Sequence, residues 1–205
     1  MKIDLKHLHY WMCAIRESKD PMRTLDAFWR GQMASKEWLV ETLEYVIFPE
    51  RNKVMDFPLS VDIHGGWVGT LSSLLFQSAI PIKHIRSIDI DPSCADIATM
   101  MNKKESIEEK FSAITADMCD ITSNADIVIN TSCEHITQEQ YNQWLNKLPQ
   151  TSLIVLQGNN YMIDEHVRIS KDLDEFISQC HLTNVQWYGE LELPNYKRFM
   201  VIGNV

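Results

Sequence analysis

No stretch of the chain holds the roughly 18 consecutive apolar residues that a helix needs to cross a bilayer, so nothing in it reads as a membrane span. Nor does the N-terminal segment carry the long apolar core of a secretion signal. Cysteine is sparse and unpatterned: the five, at 13, 94, 119, 133 and 180, are odd in number and form no CxxC. Such usage fits neither a disulfide framework nor a zinc site, and a reduced, cytoplasmic setting is expected. Positive charge is also short. Nineteen lysines and arginines face 28 aspartates and glutamates, a net charge of −9, which disfavours general attraction to a nucleic-acid backbone. There is no GxGxxG, the usual fingerprint of a nicotinamide dinucleotide site, no internal repeat and no low-complexity tract.

What is present is enough apolar material for a core: 45% of 205 residues, consistent with one domain and an added cap. Residues 1–55 read as a helical cap. Leu5, Leu8, Trp11, Met12 and Ile15 recur at threes and fours. Pro21 is placed to open a second helix, with Leu25, Phe28 and Trp29 on one face, and Ser35 to cap a third. Pro49 and the polar run to Lys53 close the region. Trp11, Phe28, Trp29 and Trp38 are expected in the core, while an edge bearing Tyr10, Arg23 or Arg30 is placed to close over a substrate.

From residue 56 onward strands and helices alternate. Strands are expected at 59–63, 85–90, 112–115, 126–130, 152–156, 185–193 and 198–202, and helices at 70–78, 92–103, 137–148 and 166–180. The charge run at 103–110 is expected to be solvated. This order implies an α/β fold: a Rossmann-like, seven-stranded, mostly parallel sheet with a C-terminal antiparallel hairpin and the N-terminal helical cap.

The organising stretch is LSVDIHGGWVGTLSSLL, residues 59–75. An apolar run ends in Asp62, and His64, Gly65, Gly66, Trp67 and Gly69 form a tight turn before a helical period begins. Glycine admits φ > 0 and lets a ligand approach the backbone, and the helix start offers unpaired N–H groups. A second strand ends at Asp89 and Ile90, with Asp89 23 residues beyond Gly66. An acid at about that distance is where nucleotide-type folds place a ribose ligand, because a carboxylate accepts from both hydroxyls.

The order of these features resembles the class I S-adenosylmethionine-dependent methyltransferases, from residue 59 to about 205. The resemblance implies S-adenosyl-L-methionine as cofactor. Its methionine part would lie at Asp62 and the HGGWVG turn, its ribose at Asp89, and its adenine between Asp117 and Met118 of TADMCD. The fourth strand then leads through Asn130 into INTSCEHI, where Glu134, His135 and Ile136 resemble the Glu-His-Ile of small-molecule members. The turn departs from the family pattern, with His64 at its first glycine position and Gly69 one residue late. Neither an Asn/Asp-Pro-Pro-aromatic tetrad nor a Pro-Cys pair follows the fourth strand, which speaks against transfer to a base nitrogen or to a pyrimidine through cysteine.

Methyl transfer needs alignment of acceptor and sulfonium, and a base where the acceptor holds a proton. His135 and His166 are the candidate bases, since imidazole titrates near neutrality. Tyr161, with Asn159 and Asn160, is placed to orient an acceptor, expected to be a small molecule. Cys133 is expected to be a buried thiol. No metal cluster stands out: His7 and His9 point to different helical faces, and His64 with Asp62 makes only a pair. Two other functions fit the sequence. One is transfer of the cofactor's aminocarboxypropyl or aminopropyl arm in place of methyl. The other is a non-catalytic binding partner that keeps the fold, marked by an exposed apolar face on the N-terminal helices.

Overall fold

The computed structural model describes residues 4–50 and 57–205. The expected boundary between cap and sheet, and the polar residues Arg51 to Lys53, lie outside them. Three helices come first: α1 (Leu5–Glu17), α2 (Pro21–Asp26) and α3 (Arg30–Ile47). The side chains of Asp4 and Asp20 accept from Lys6 and Arg23 N–H at the starts of α1 and α2, and Pro21 stands at the first turn of α2. Then follow β1 (Leu59–His64), α4 (Thr70–Leu75), β2 (Ile82–Asp89), α5 (Cys94–Met101), α6 (Lys103–Ile107), β3 (Phe111–Thr115), β4 (Ile127–Asn130), α7 (Gln138–Leu145), β5 (Leu153–Asn159), α8 (Leu173–Cys180), β6 (Asn184–Glu192) and β7 (Lys197–Asn204).

The seven strands form one sheet in the order β3-β2-β1-β4-β5-β7-β6. The pairs among β1 to β5 are parallel, and β7 runs antiparallel between β5 and β6. This is the expected Rossmann-like sheet with its closing hairpin. Its order reverses between β1 and β4, the place where open α/β sheets bind ligands at their carboxyl ends.

Each face of the sheet has its own core. On one, Trp11, Leu39, Leu43, Leu74, Ile63, Ile85 and Met200 form a single buried cluster. On the other, Tyr141, Trp144 and Phe176 pack on Val128, Leu156 and Phe199. Burying each large side chain contributes about 1.5–3 kcal/mol. The first cluster includes residues of α1 and α3, so the helical cap is continuous with the sheet's own core.

Several local expectations are corrected. Ser35 lies inside α3 rather than at its start; it is buried, and its Oγ donates to Gln157 Oε1 at 3.1 Å. Trp29 stands at the N-cap of α3 and is 68% exposed, held by Nε1 donating to Asp26. Leu5, Leu8 and Met12 form the outer face of α1 and stay exposed. Glu105, within the charge run, is buried and bonded to His7 at 3.2 Å. β1 continues two residues past Asp62, and β5 three past Leu156, because each has a pairing strand for that length.

The helix expected at 166–180 begins only at Leu173, capped by Asp172, which accepts from Glu175 N–H. The segment before it is committed elsewhere. Val167 and Arg168 donate their N–H groups to the Glu134 carbonyl, Ser170 donates to that of Asn159, and the Arg168 guanidinium donates to Gln138 and Gln179 over the Tyr141 ring. With those N–H groups taken, no helical ladder can form there.

Candidate functional site

A cavity of about 770 Å³ opens at the carboxyl ends of the parallel strands, around the point where the strand order reverses. One half is walled by the β1–α4 turn and the ends of β2 and β3. The other is walled by α3, the segment after β4, β5 and β7.

The first half is shaped by the turn. Gly65 adopts φ 69° with its α-carbon against Ser132, where a Cβ would come within 2.1 Å of the hydroxyl. Gly66 donates its N–H to Ile88 O at 3.0 Å, binding the turn to β2. Trp67 takes φ 47°, a left-handed conformation uncommon outside glycine. Its N–H donates to Asp89 Oδ2 at 2.7 Å, while Asp91 N–H donates to Oδ1 at 3.0 Å. Two backbone donors thus fix the Asp89 carboxylate at the cavity wall and leave it further lone pairs. Ile90, Asp117 and Met118 complete this half. Seven of the expected cofactor-side residues are therefore brought together: Gly65, Gly66, Trp67, Asp89, Ile90, Asp117 and Met118.

Four others stand behind the wall. Asp62 sits within β1 instead of at its tip, and its carboxylate accepts from Arg86 Nε at 2.7 Å and from the Ser123 hydroxyl. His64 is fully buried edge-on to Trp144, ring centroids 5.5 Å apart, on the sheet face away from Ile63. Neither of its ring nitrogens has a hydrogen-bond partner among the described residues, and burial lowers its pKa to about 4. Gly69, at φ 80°, starts α4 and lies tight against Ala98 and Asn102 of the α5 region. Asn130 is buried, accepting from Ser132 N–H at 2.9 Å with its amide nitrogen 3.4 Å from Met118 Sδ, so it positions the loop behind the cavity.

Of the cap residues proposed to close over the site, Arg23 reaches it; Tyr10 and Arg30 do not line it. Arg23 donates to Ser93 Oγ at 2.8 Å and pairs with Asp91. The Ser93 N–H and hydroxyl, with that guanidinium, hold the Asp91 carboxyl down at about 2. This ties α2 to the segment that follows Asp89.

The second half is polar, as expected, and two of its charged groups, Lys36 and Arg198, stand within a helix and a strand. Gln157 and Asn159 belong to β5 itself and alternate onto the cavity side, while Gly158 between them packs under Phe176. Asn159 Nδ2 donates to Glu134 Oε1 at 2.7 Å, and Arg198 of β7 donates to the same oxygen at 2.6 Å and to Thr131 O at 2.7 Å. Lys36, of α3, is buried, donates to Gln32 Oε1 at 2.8 Å and lies 5.9 Å from the Trp67 ring centre. Burial, with Arg198's charge adding to it, lowers the Lys36 ammonium to about 7.

All three residues expected to act on the acceptor line this half. Tyr161 stacks at 5.2 Å from Tyr196, and the rings of His135 and His166 meet edge-on at 4.8 Å. Cys133 is fully buried, its thiol pushed up to about 12 by desolvation.

Lys36 and Arg198 were missed from the sequence, although each carries a signal. Lys36 stands at i to the buried Leu39, Val40 and Leu43 at i+3, i+4 and i+7, which places a charge on the inward stripe of α3. Arg198 immediately precedes the apolar run Phe199 to Ile202 of β7.

No family model matches the chain, and no curated protein matches it in sequence. Solved structures do. The magnesium protoporphyrin IX methyltransferase ChlM of Synechocystis PCC 6803, with bound SAH, superposes with a TM-score of 0.62 at 14% identity over 97% of this chain and 93% of that one. The S-adenosylmethionine-dependent methyltransferase SibL, in its apo form, gives 0.56 at 14% identity over 100% of this chain and 71% of its own. The mitomycin 7-O-methyltransferase MmcR gives 0.58 at 13% identity over 95% of this chain, which spans 60% of that protein. The chain therefore has the class I methyltransferase fold.

Proposed function

We propose that the chain binds S-adenosyl-L-methionine in the first half of the cavity and transfers its methyl group to a small molecule held in the second. The observation that carries this reading is the Asp89 carboxylate, fixed by the Trp67 and Asp91 N–H groups and facing the cavity with lone pairs suited to ribose hydroxyls. Ile90 and Met118 supply apolar surface for an adenine, with Asp117 beside them as acceptor for its amino group. Gly65 and Gly66 bring bare backbone to where the methionine part would lie. At about 770 Å³ the cavity is large enough for the cofactor with a modest acceptor.

The bound cofactor supplies an activated methyl on a good leaving group. The chain's contribution is to align an acceptor and take up its proton where it has one. His135 and His166 carry ring nitrogens on the acceptor wall, and Lys36 is drawn toward its neutral amine there.

The test is calorimetry with S-adenosylhomocysteine, paired with product analysis. At about 100 times its Kd the ligand should stabilise the fold by roughly 2.7 kcal/mol, and Asp89→Ala should remove most of that. Unchanged affinity in Asp89→Ala would refute the ribose assignment. Adenosylhomocysteine as product supports methyl transfer, and methylthioadenosine would support arm transfer. A second reading, a non-catalytic binding partner, draws support from the exposed apolar side chains of α1 and α2, including Leu5, Met12 and Met22. Failure to bind either form of the cofactor would favour it.

A further inference from the structure

We infer that Glu134, His135 and His166 form a binding site for one divalent transition-metal cation on the acceptor wall. One ligand atom from each lies within 4.8 Å of the other two. The three come from two distant parts of the chain. Glu134 and His135 sit on the short turn Cys133–His135 after β4, and His166 lies in the segment that the Glu134 carbonyl and the Asn159 carbonyl hold out of α8. Residues 135 and 166 are too far apart in sequence for their spacing to suggest a site.

Each imidazole is tethered through Nδ1 to a backbone carbonyl. His135 Nδ1 lies 3.2 Å from Glu165 O, and His166 Nδ1 lies 2.7 Å from Tyr161 O. A backbone carbonyl can only accept, so each Nδ1 carries the proton and each Nε2 the lone pair. Metal-ligating histidines are held in this way, the second nitrogen donating to a carbonyl or carboxylate.

Glu134 provides the independent observation. Its side chain is 96% buried, its Oε1 accepts from both Asn159 and Arg198, and its Oε2 has no hydrogen-bond partner among the described residues. A buried carboxylate oxygen without a donor is costly, and a cation at Oε2 removes that cost. Arg198 offsets part of the carboxylate charge, which keeps the affinity moderate.

Two nitrogens and one carboxylate oxygen select zinc, or another first-row divalent ion, over magnesium or calcium, which prefer all-oxygen shells. Metal–ligand bonds of about 2.0–2.2 Å hold donors roughly 3–3.5 Å apart, so the widest separation must close by about 1.5 Å. His135 is exposed and His166 half-buried, so the carbonyl contacts rather than core packing set how far each ring can shift. Three protein ligands leave open positions toward the cavity for an acceptor oxygen or nitrogen, whose proton the cation would loosen. The cation site stands without the methyl-transfer reading; only this use of it rests on that reading. With both histidines committed to the metal, Lys36 is another group lining the cavity that is able to take the proton.

The experiment titrates the full chain, without cofactor, with Co²⁺ followed by visible absorption and with Zn²⁺ by calorimetry. One equivalent is expected, with Zn²⁺ displacing Co²⁺. His135→Ala and His166→Ala should each weaken Zn²⁺ by about tenfold or more, and Glu134→Gln should do the same. Because Glu134 is buried against Arg198, the two histidine variants keep the test valid if that one fails to fold. His9→Ala is the control, since His9 Nε2 lies 3.7 Å from Cys13 Sγ and makes a separate exposed pair. The proposal is overturned if no equivalent binds, if the double variant His135→Ala/His166→Ala retains it, or if His9→Ala abolishes it. S-adenosylhomocysteine calorimetry on the metal-free chain reads the methyl-transfer proposal separately.

Discussion

Replacing His64 with leucine should flatten the acid limb of the stability profile. The imidazole is fully buried beside Trp144, and burial lowers its pKa from 6.5 to about 4. The folded chain therefore resists taking up a proton that the unfolded chain accepts. As pH falls below 6.5 the unfolded state gains protons at this site and the folded state does not until about 4, so stability is lost across that window and is whole above it. The full shift of about 2.5 units corresponds to roughly 3.4 kcal/mol, of which about 2 kcal/mol falls between pH 7 and pH 5. Urea unfolding of the wild type and of His64→Leu at both pH values isolates the contribution, because titrations elsewhere are common to the two proteins. The wild type should lose about 2 kcal/mol more than the variant on going to pH 5. Equal losses would show that the imidazole is hydrated or paired in solution and would refute the reasoning.

Asp62→Ala should destabilise the fold by about 2–4 kcal/mol, since Arg86 and Ser123 lose a buried partner, and should leave S-adenosylhomocysteine affinity within about threefold by calorimetry, since Asp62 does not line the cavity. Lys36→Met should raise the thermal midpoint more at pH 6.5 than at pH 10. The folded pKa of about 7 lies below the free value of 10.5, so the penalty for burying the charge is present at low pH and fades as pH rises through that interval. An equal gain at both pH values would contradict it. Gly69→Ala should lower unfolding free energy by about 1–3 kcal/mol, because φ 80° disfavours any side chain and Ala98 and Asn102 leave no room for one; chemical denaturation measures it.

The strands along the chain and the class of sheet were legible because most strands are short apolar or alternating runs and the β-α alternation admits few sheets. The turn was legible in kind but not in register. A strand does not end where its first acid stands, and Asp62 lies within β1 because Arg86 on β2 and Ser123 satisfy its carboxylate inside the sheet. Helix periodicity failed at 166–172 for the converse reason: the apolar spacing was present, but Glu134 and Asn159 accept the N–H groups a helix would need. On the acceptor side, His135, His166 and Tyr161 were found as loop residues rich in polar groups. Lys36 and Arg198 lie beside other polar residues, Ser35 and Glu37 in α3 and Lys197 in β7, and so read as solvated positions. Gln32, one turn before Lys36 on α3, and Glu134, 64 positions from Arg198, supply partners for the two buried charges.

The bond between Ser35 of α3 and Gln157 of β5 crosses 122 positions in sequence. It has a consequence for anyone re-engineering this chain. The first fifty residues are no detachable module: a chimera that grafts them onto a related sheet must import the glutamine as well, or it strands a hydroxyl in the joint. Selection for a new acceptor would therefore recruit changes on both sides of that seam at once.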